Sequence, residues 1–261
     1  MVVGLNKFKE AFADFKDNYV IIGGTACDIV LSDTDMRPRA TDDIDMILVV
    51  EKMTKEYGDA FWQFIKDGEY KAGKREKDDK TPTYTLYRFT SDKEGYPVKI
   101  ELLSHHSDIL GEPSGFHIEP IPLSEDLSSL SAIMMDDDNY ELTVANSTEQ
   151  DGVRIATPTT LICLKARAYL NLLKDRANGK HVNSKDIKKH KTDVLKLIAT
   201  ASIPEPVAVP QSVYDSVIEY VESIEKELPS QSLQDALERD ADAIQVFVET
   251  LKESFVVSKE E

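Results

Sequence analysis

The run Tyr19-Val20-Ile21-Ile22-Gly23-Gly24-Thr25, with Thr41-Asp42-Asp43-Ile44-Asp45 and a second apolar stretch after it, decides the fold. Tyr19 to Ile22 is a short, β-branched segment of the kind that forms a buried strand, and the two glycines end it in a tight turn. Residues 25–32 then carry helical spacing, with Thr25 placed to cap. Residues 44–50 read as a second strand with Asp43 and Asp45 at its entrance. Side chains two apart on a strand share a face, so Asp43 and Asp45 point together while Ile44 points into the core.

Outward from this stretch, Met1 to Lys16 reads as an amphipathic helix, and Met36-Arg37-Pro38-Arg39 as a loop. Met53, Tyr57, Phe61, Trp62, Phe64 and Ile65 lie at helical spacing over 53–66. A charged loop from Lys71 to Lys80 precedes two neighbouring strands, 84–89 and 98–103, joined around the turn at Asp92–Gly95. Short strands are expected at 116–121 and 140–145, and Asp136-Asp137-Asp138 reads as a turn, because adjacent acids diverge in direction. At Thr157-Pro158 the character changes: a capping residue is followed by proline at the first helical position. Helices are expected at about 159–177, 184–200, 212–227 and 231–256, with Pro204, Pro206 and Pro210 breaking the second from the third. The expected organisation is an α/β (α+β) domain over 1–155 and a helical C-terminal domain over 156–261.

Composition bounds the function. The 261 residues are 41% apolar, enough for a core, and no stretch approaches the roughly 20 apolar residues of a membrane span. The N-terminus lacks the apolar centre of a signal peptide, and Cys27 and Cys163 make a poor disulfide framework, so a cytoplasmic location is expected. A net charge of −17 repels a nucleic-acid backbone unless basic residues gather locally. One gathering exists, Lys180, His181, Lys185, Lys188, Lys189, His190 and Lys191, which is either a solvated helix face or a phosphate-facing surface. His181 and His190 themselves read as surface residues.

Three features carry chemistry. Two carboxylates side by side repel each other and want a cation or donors nearby. Mg²⁺ takes oxygen ligands and is often shared between one or two carboxylates and substrate phosphates. Gly23-Gly24 lets a backbone approach phosphate closely, with Thr25 adding a hydroxyl, although a plain turn would look the same. Glu101, inside the apolar run Val98 to Leu103, needs a partner or sits at a site. Together Asp43, Asp45 and Glu101 form three carboxylates able to bind two metal ions in a phosphoryl transfer. Lys165, among Leu161, Ile162 and Leu164, either snorkels to solvent or faces a ligand.

The arrangement Gly23-Gly24, Asp43-Ile44-Asp45, then Glu101 resembles the DNA polymerase β-type nucleotidyltransferase superfamily. Within it, Gly23-Gly24-Thr25-Ala26 and Arg39-Ala40-Thr41-Asp42-Asp43-Ile44-Asp45 resemble the AbiEii-type nucleotidyltransferases, many of them toxins of toxin–antitoxin pairs. Leu161 to Ala168 is similar to that family's lysine-bearing helix, and Lys185 to Val194 to its later motif ending in aspartate. The resemblance implies a polymerase-β-like mixed sheet with flanking helices and a helical domain behind it. It implies that Gly23, Gly24 and Thr25 contact the triphosphate and that Asp43 and Asp45 bind metal. Glu101 would be the third acid, Lys165 would reach nucleotide phosphates, Asp193 would support from nearby, and Arg39 and Thr41 would flank the site. The implied cofactor is Mg²⁺, two ions, with Mn²⁺ as the substitute, and the implied substrate is a nucleoside triphosphate. The acceptor is a hydroxyl of RNA or tRNA bound through the Lys185–Lys191 region, of a protein, or of a small molecule; an antitoxin protein is a further expected partner. The alternative is an inactive nucleotide-binding or protein-interaction module on the same fold.

Overall fold

The structure, a computed structural model, describes residues 2–36, 41–72, 85–104 and 137–258. The chain begins with helix α1 (Leu5–Ala11) and enters β1 (Tyr19–Ile22), whose four side chains are all buried. Helix α2 (Gly23–Leu31) starts at the first glycine rather than after the second, so Thr25 lies in its first turn and caps nothing. Then come β2 (Asp43–Leu48), α3 (Lys55–Asp67), β3 (Lys71–Ala72), β4 (Thr85–Thr90) and β5 (Lys99–Ser104). Thr54 caps α3, its hydroxyl accepting from the Tyr57 N–H at 3.2 Å. The apolar stripe of α3 docks on α1 through an aromatic cluster: the Phe8 ring meets Tyr19 and Phe64 edge-on, and Phe12 packs on Phe61. Rings in such tilted and edge contacts contribute beyond their buried area.

Two expectations fail in the next segment. Residues 140–145 are helical, not extended, and lie in α4 (Asp137–Ala145). Asn139, Tyr140, Leu142 and Thr143 are the buried face, and the Thr143 hydroxyl donates to the Asn139 carbonyl one turn back, a helical period where strand alternation was expected. Asp137 and Asp138 open this helix instead of forming a turn, and acids there complement the helix dipole. The strand expected at 116–121, Arg39 and most of the charged loop fall outside the described residues. A hairpin that local reading missed follows, β6 (Ser147–Gln150) and β7 (Val153–Ala156), joined at Asp151-Gly152 with φ of 50° and 77°. Asp-Gly in that conformation is a strong hairpin signal.

Strands β1 to β7 form a seven-stranded sheet in the order β3-β4-β5-β2-β1-β7-β6. β1 runs antiparallel to β2 and parallel to β7, and β2 runs parallel to β5. The sheet is mixed, as expected of an α+β fold. The long helices that follow are α5 (Pro158–Ala177) and α6 (Ser184–Thr200). Thr157 caps α5 with Pro158 at its first position, as read from the sequence. Beyond them lie β8 (Val207–Val209), α7 (Gln211–Glu225), α8 (Gln231–Leu237), α9 (Ala241–Glu253) and β9 (Phe255–Val257), which pairs parallel with β8. The single helix expected over 231–256 is thus broken. Glu238 turns left-handed at φ 54° and Asp240 starts a new helix by accepting from the Ala243 N–H at 2.8 Å. Helix α2 packs on both α5 and α6, and buried apolar residues run without a gap from the sheet into the helices.

Candidate active site

Strand pairing assembles the site. In the parallel pair of β2 and β5, Asp45 stands across from Glu101 and Asp43 across from Lys99. On its other side Asp45 faces Ile22, the last residue before the glycines. Period-two alternation puts Asp43, Asp45, Lys99 and Glu101 on one face, with Ile44, Met46, Ile100 and Leu102 buried on the other. The three acids of the sequence reading therefore lie on neighbouring strands and a common face.

Their charges are strongly engaged. Glu101 is buried, and Arg88, opposite it on β4, donates to its Oε1 from Nε at 2.5 Å. Lys99 Nζ lies 2.9 Å from Asp43 Oδ2 and 3.6 Å from Glu101 Oε1. Burial pulls the Lys99 pKa down, but the Glu101 charge and the Asp43 hydrogen bond outweigh it, so this lysine is held protonated above its ordinary range. Asp45 shares a hydrogen bond with Glu101, and its pKa is pushed up to about 7, first by burial and next by the Glu101 charge. Lys99 and Lys189 oppose that rise. At neutral pH Asp45 is thus an acid poised between its two states.

The glycine bend is built around this carboxylate. Gly23 has φ 71°, and a Cβ there would overlap the Asp45 carboxylate. A Cβ on Gly24 would stand 2.9 Å from the Thr41 hydroxyl. Gly23 is thereby required twice, for its backbone and for the room it leaves. Thr25 is fully buried and its hydroxyl donates to the Asp43 carbonyl, so it ties α2 to the start of β2. The Thr41 side chain lies against Gly24.

Helices α5 and α6 contribute a second constellation. Lys165 is fully buried on α5 and does not snorkel; its Nζ donates to Asp193 Oδ2 on α6 at 2.8 Å. One helical turn before Asp193, Lys189 is near enough to Asp45 to lower its pKa. His190, expected at the surface, is buried, because it shares the inward face of α6 with Val194 and Leu197. The basic segment is not one surface: Lys189 turns to the acids, Lys191 pairs with Glu227 at 2.6 Å, and Lys180 pairs with Asp175 at 2.9 Å.

Sequence reasoning missed Arg88, Lys99 and Lys189 as members of the site. Lys99 carried a usable signal, its two-residue offset from Glu101, and Lys189 its four-residue offset from Asp193. Arg88 carried none, since only the β4–β5 register brings it to Glu101. As the side chains stand, no three His, Cys, Asp or Glu among the described residues are gathered to chelate an ion. The donor chemistry nonetheless fits a divalent cation: three hard oxygen donors share a face, and burial, with the Glu101 charge next, already raises the Asp45 pKa.

The mixed sheet thus brings Asp-Ile-Asp and Glu together beside a Gly-Gly bend, with helices packed behind it. The family model described as nucleotidyl transferase AbiEii toxin, type IV toxin–antitoxin system, matches residues 8–254, and the chain belongs to that family. Among solved structures, JHP933 from Helicobacter pylori is similar at 15% identity and a TM-score of 0.38, over 95% of this chain and 91% of that one. No curated protein matches the chain. Among the described residues no helix is long and apolar enough to cross a membrane.

Proposed function

We propose that this protein moves a nucleoside monophosphate from a nucleoside triphosphate to an acceptor hydroxyl, with release of pyrophosphate, at the face formed by Asp43, Asp45 and Glu101. The observation that carries the reading is the Asp45–Glu101 contact across β2 and β5, beside the opening left by Gly23. Asp43, Asp45 and Glu101 would hold the divalent metal, Mg²⁺ or Mn²⁺. Such an ion, when bound, neutralises phosphate charge and lowers the pKa of an attacking hydroxyl. Gly23 and Gly24 let the triphosphate approach the backbone, and Thr25 and Thr41 hold the bend in shape. Glu101 accepts from the attacking hydroxyl and orients it. Lys165, locked to Asp193, acts on the phosphates through the position of α6, which carries Lys189 toward the acids. Arg39 is assigned to the flank of the site by family resemblance alone.

In this reading residues 1–155 supply the acids together with Arg88 and Lys99 beside them, and 156–261 add Lys189 from the other side. A type IV system implies an antitoxin as partner. The acceptor is a hydroxyl of RNA, protein or a small molecule, and the scatter of the basic segment over several faces favours none of these through one lysine patch.

The test is label transfer from α-labelled triphosphates with Mg²⁺ or Mn²⁺ and cell extract as acceptor source. Wild type transfers label and releases pyrophosphate. Asp43→Asn and Asp45→Asn lower transfer by at least about a hundredfold while circular dichroism is unchanged. Undiminished transfer in either variant rules out the acid assignment. Triphosphate binding without pyrophosphate release, over a broad acceptor panel, would select the binding-module alternative.

A further inference from the structure

We propose that the helical half carries a second ligand site, a pocket for a small phosphate dianion or phosphomonoester, on the opposite side of α6 from the acids. It goes beyond the transfer reaction and stands without it. The pocket is an open cleft of about 210 Å³ lined by residues of α5, α6, α8 and the turn that follows α7. Three cations line it, Arg176, Lys188 and Lys191, against a single carboxylate, Glu227. Lys191 is committed to Glu227 at 2.6 Å. Arg176 and Lys188 make no ion pair among the described residues, so the pocket holds two uncompensated positive charges in a chain of net charge −17. That excess matches the charge of a phosphate dianion, and guanidinium–phosphate hydrogen bonds are among the strong ones.

Hydroxyls supply the remaining donors. Ser184, in the first turn of α6, and Ser232 line the pocket, and neither hydroxyl is hydrogen-bonded among the described residues. The Tyr169 ring lies on its wall with its own hydroxyl bonded to Ser223 at 2.9 Å, so it offers a flat apolar surface. The site is separate from the acids by helix geometry. At about 100° per residue, Lys188 and Lys191 point roughly half a turn away from Lys189 and Asp193. A polyanionic strand would have to run past Glu227, whereas one small phosphate fits within the cleft. Occupancy would also grip the helix that carries Lys189 and Asp193.

The experiment titrates the full chain, in chelator and without divalent metal, with inorganic phosphate and with a nucleoside 5′-monophosphate, by calorimetry. Wild type binds one equivalent saturably. The double variant Arg176→Gln, Lys188→Gln, both exposed positions, weakens binding at least about tenfold, as the loss of two charge-assisted hydrogen bonds requires. Asp45→Asn stays within about twofold of wild type, because the ligand is not at the acids. The proposal is overturned by unsaturable binding, by equal affinity in the double variant, or by loss in Asp45→Asn instead. It is likewise overturned if only a single-stranded RNA oligonucleotide, and neither small phosphate, responds to the double substitution. Failure of label transfer in the earlier assay leaves these outcomes unaffected, so the two readings fail separately.

Discussion

At the scale of single residues, Gly23 and Asp45 share one space. A methyl group on Gly23 would force a left-handed backbone on a residue with Cβ and push the Asp45 carboxylate aside. Gly23→Ala is expected to lose about 1–3 kcal/mol in urea unfolding, from backbone strain together with the displaced carboxyl. Label transfer should fall with it. Gly24, with ordinary φ, should tolerate alanine better, because only the Thr41 side chain, its hydroxyl at 2.9 Å and its Cβ at 3.2 Å, opposes it. Asp45 makes a second prediction, on pH. Its folded pKa of about 7 lies above the ordinary aspartate value of 3.8, so the folded state binds more protons between those values. Stability from this group is therefore present at low pH and is lost as pH rises through about 7. Comparison with Asp45→Asn isolates it from the other carboxyls. Without metal, the variant should gain on wild type between pH 4 and 7 by at most about 1.4 kcal/mol per pH unit, then hold a constant margin. A margin that does not change over this range would show that Asp45 titrates normally.

At the scale of elements, the Lys165–Asp193 pair pins α5 to α6. Both groups are buried, so removing either one strips the other of this countercharge. Lys165→Met or Asp193→Leu alone should lose about 3–5 kcal/mol, and the double substitution should recover most of that loss. Transfer activity that stays absent in the recovered double variant would show that the pair serves the reaction as well as the fold. Elements also show what the sequence discloses. β1, β2 and α5 were legible because their signals are local: a β-branched run, acids two apart, a Thr-Pro start. The α4 helix was not, because Asp-Asp-Asp and the Tyr140-Glu141-Leu142-Thr143-Val144 alternation mimic turn and strand, and burial against the rest of the chain decides otherwise. The break between α8 and α9 rests on one left-handed residue and one cap, too small a signal against continuous helical periodicity. The acids of the site were visible as residue types, yet their countercharges were not. Arg88 reaches Glu101 only through a register between strands that no local pattern encodes.

At the scale of the whole molecule, the question is whether the sequence boundary near residue 155 divides two folding units. Residues from both sides meet at the site, and they meet in the core as well. β7, which ends at Ala156, pairs with the central strand β1 through Ile21 and Ile155. Just beyond it, Leu161, Ile162, Leu164 and Ala168 of α5 are fully buried, and α2 packs on both α5 and α6. Each buried leucine or isoleucine stabilises by about 1.5–3 kcal/mol, so separating the halves would forfeit a large share of a marginal total. The chain offers a direct probe. Its single tryptophan, Trp62, lies on α3 and reports the sheet half, whereas far-ultraviolet circular dichroism is dominated by the long helices α5, α6, α7 and α9. In urea the two signals should give one coincident transition, the mark of a single cooperative unit. A fragment ending at residue 156 should show no cooperative transition of its own and should bind a hydrophobic dye. Separated transitions, with the fragment folding alone, would instead make 1–155 and 156–261 independent domains, and the approach of Lys189 to Asp45 would then depend on how those domains close.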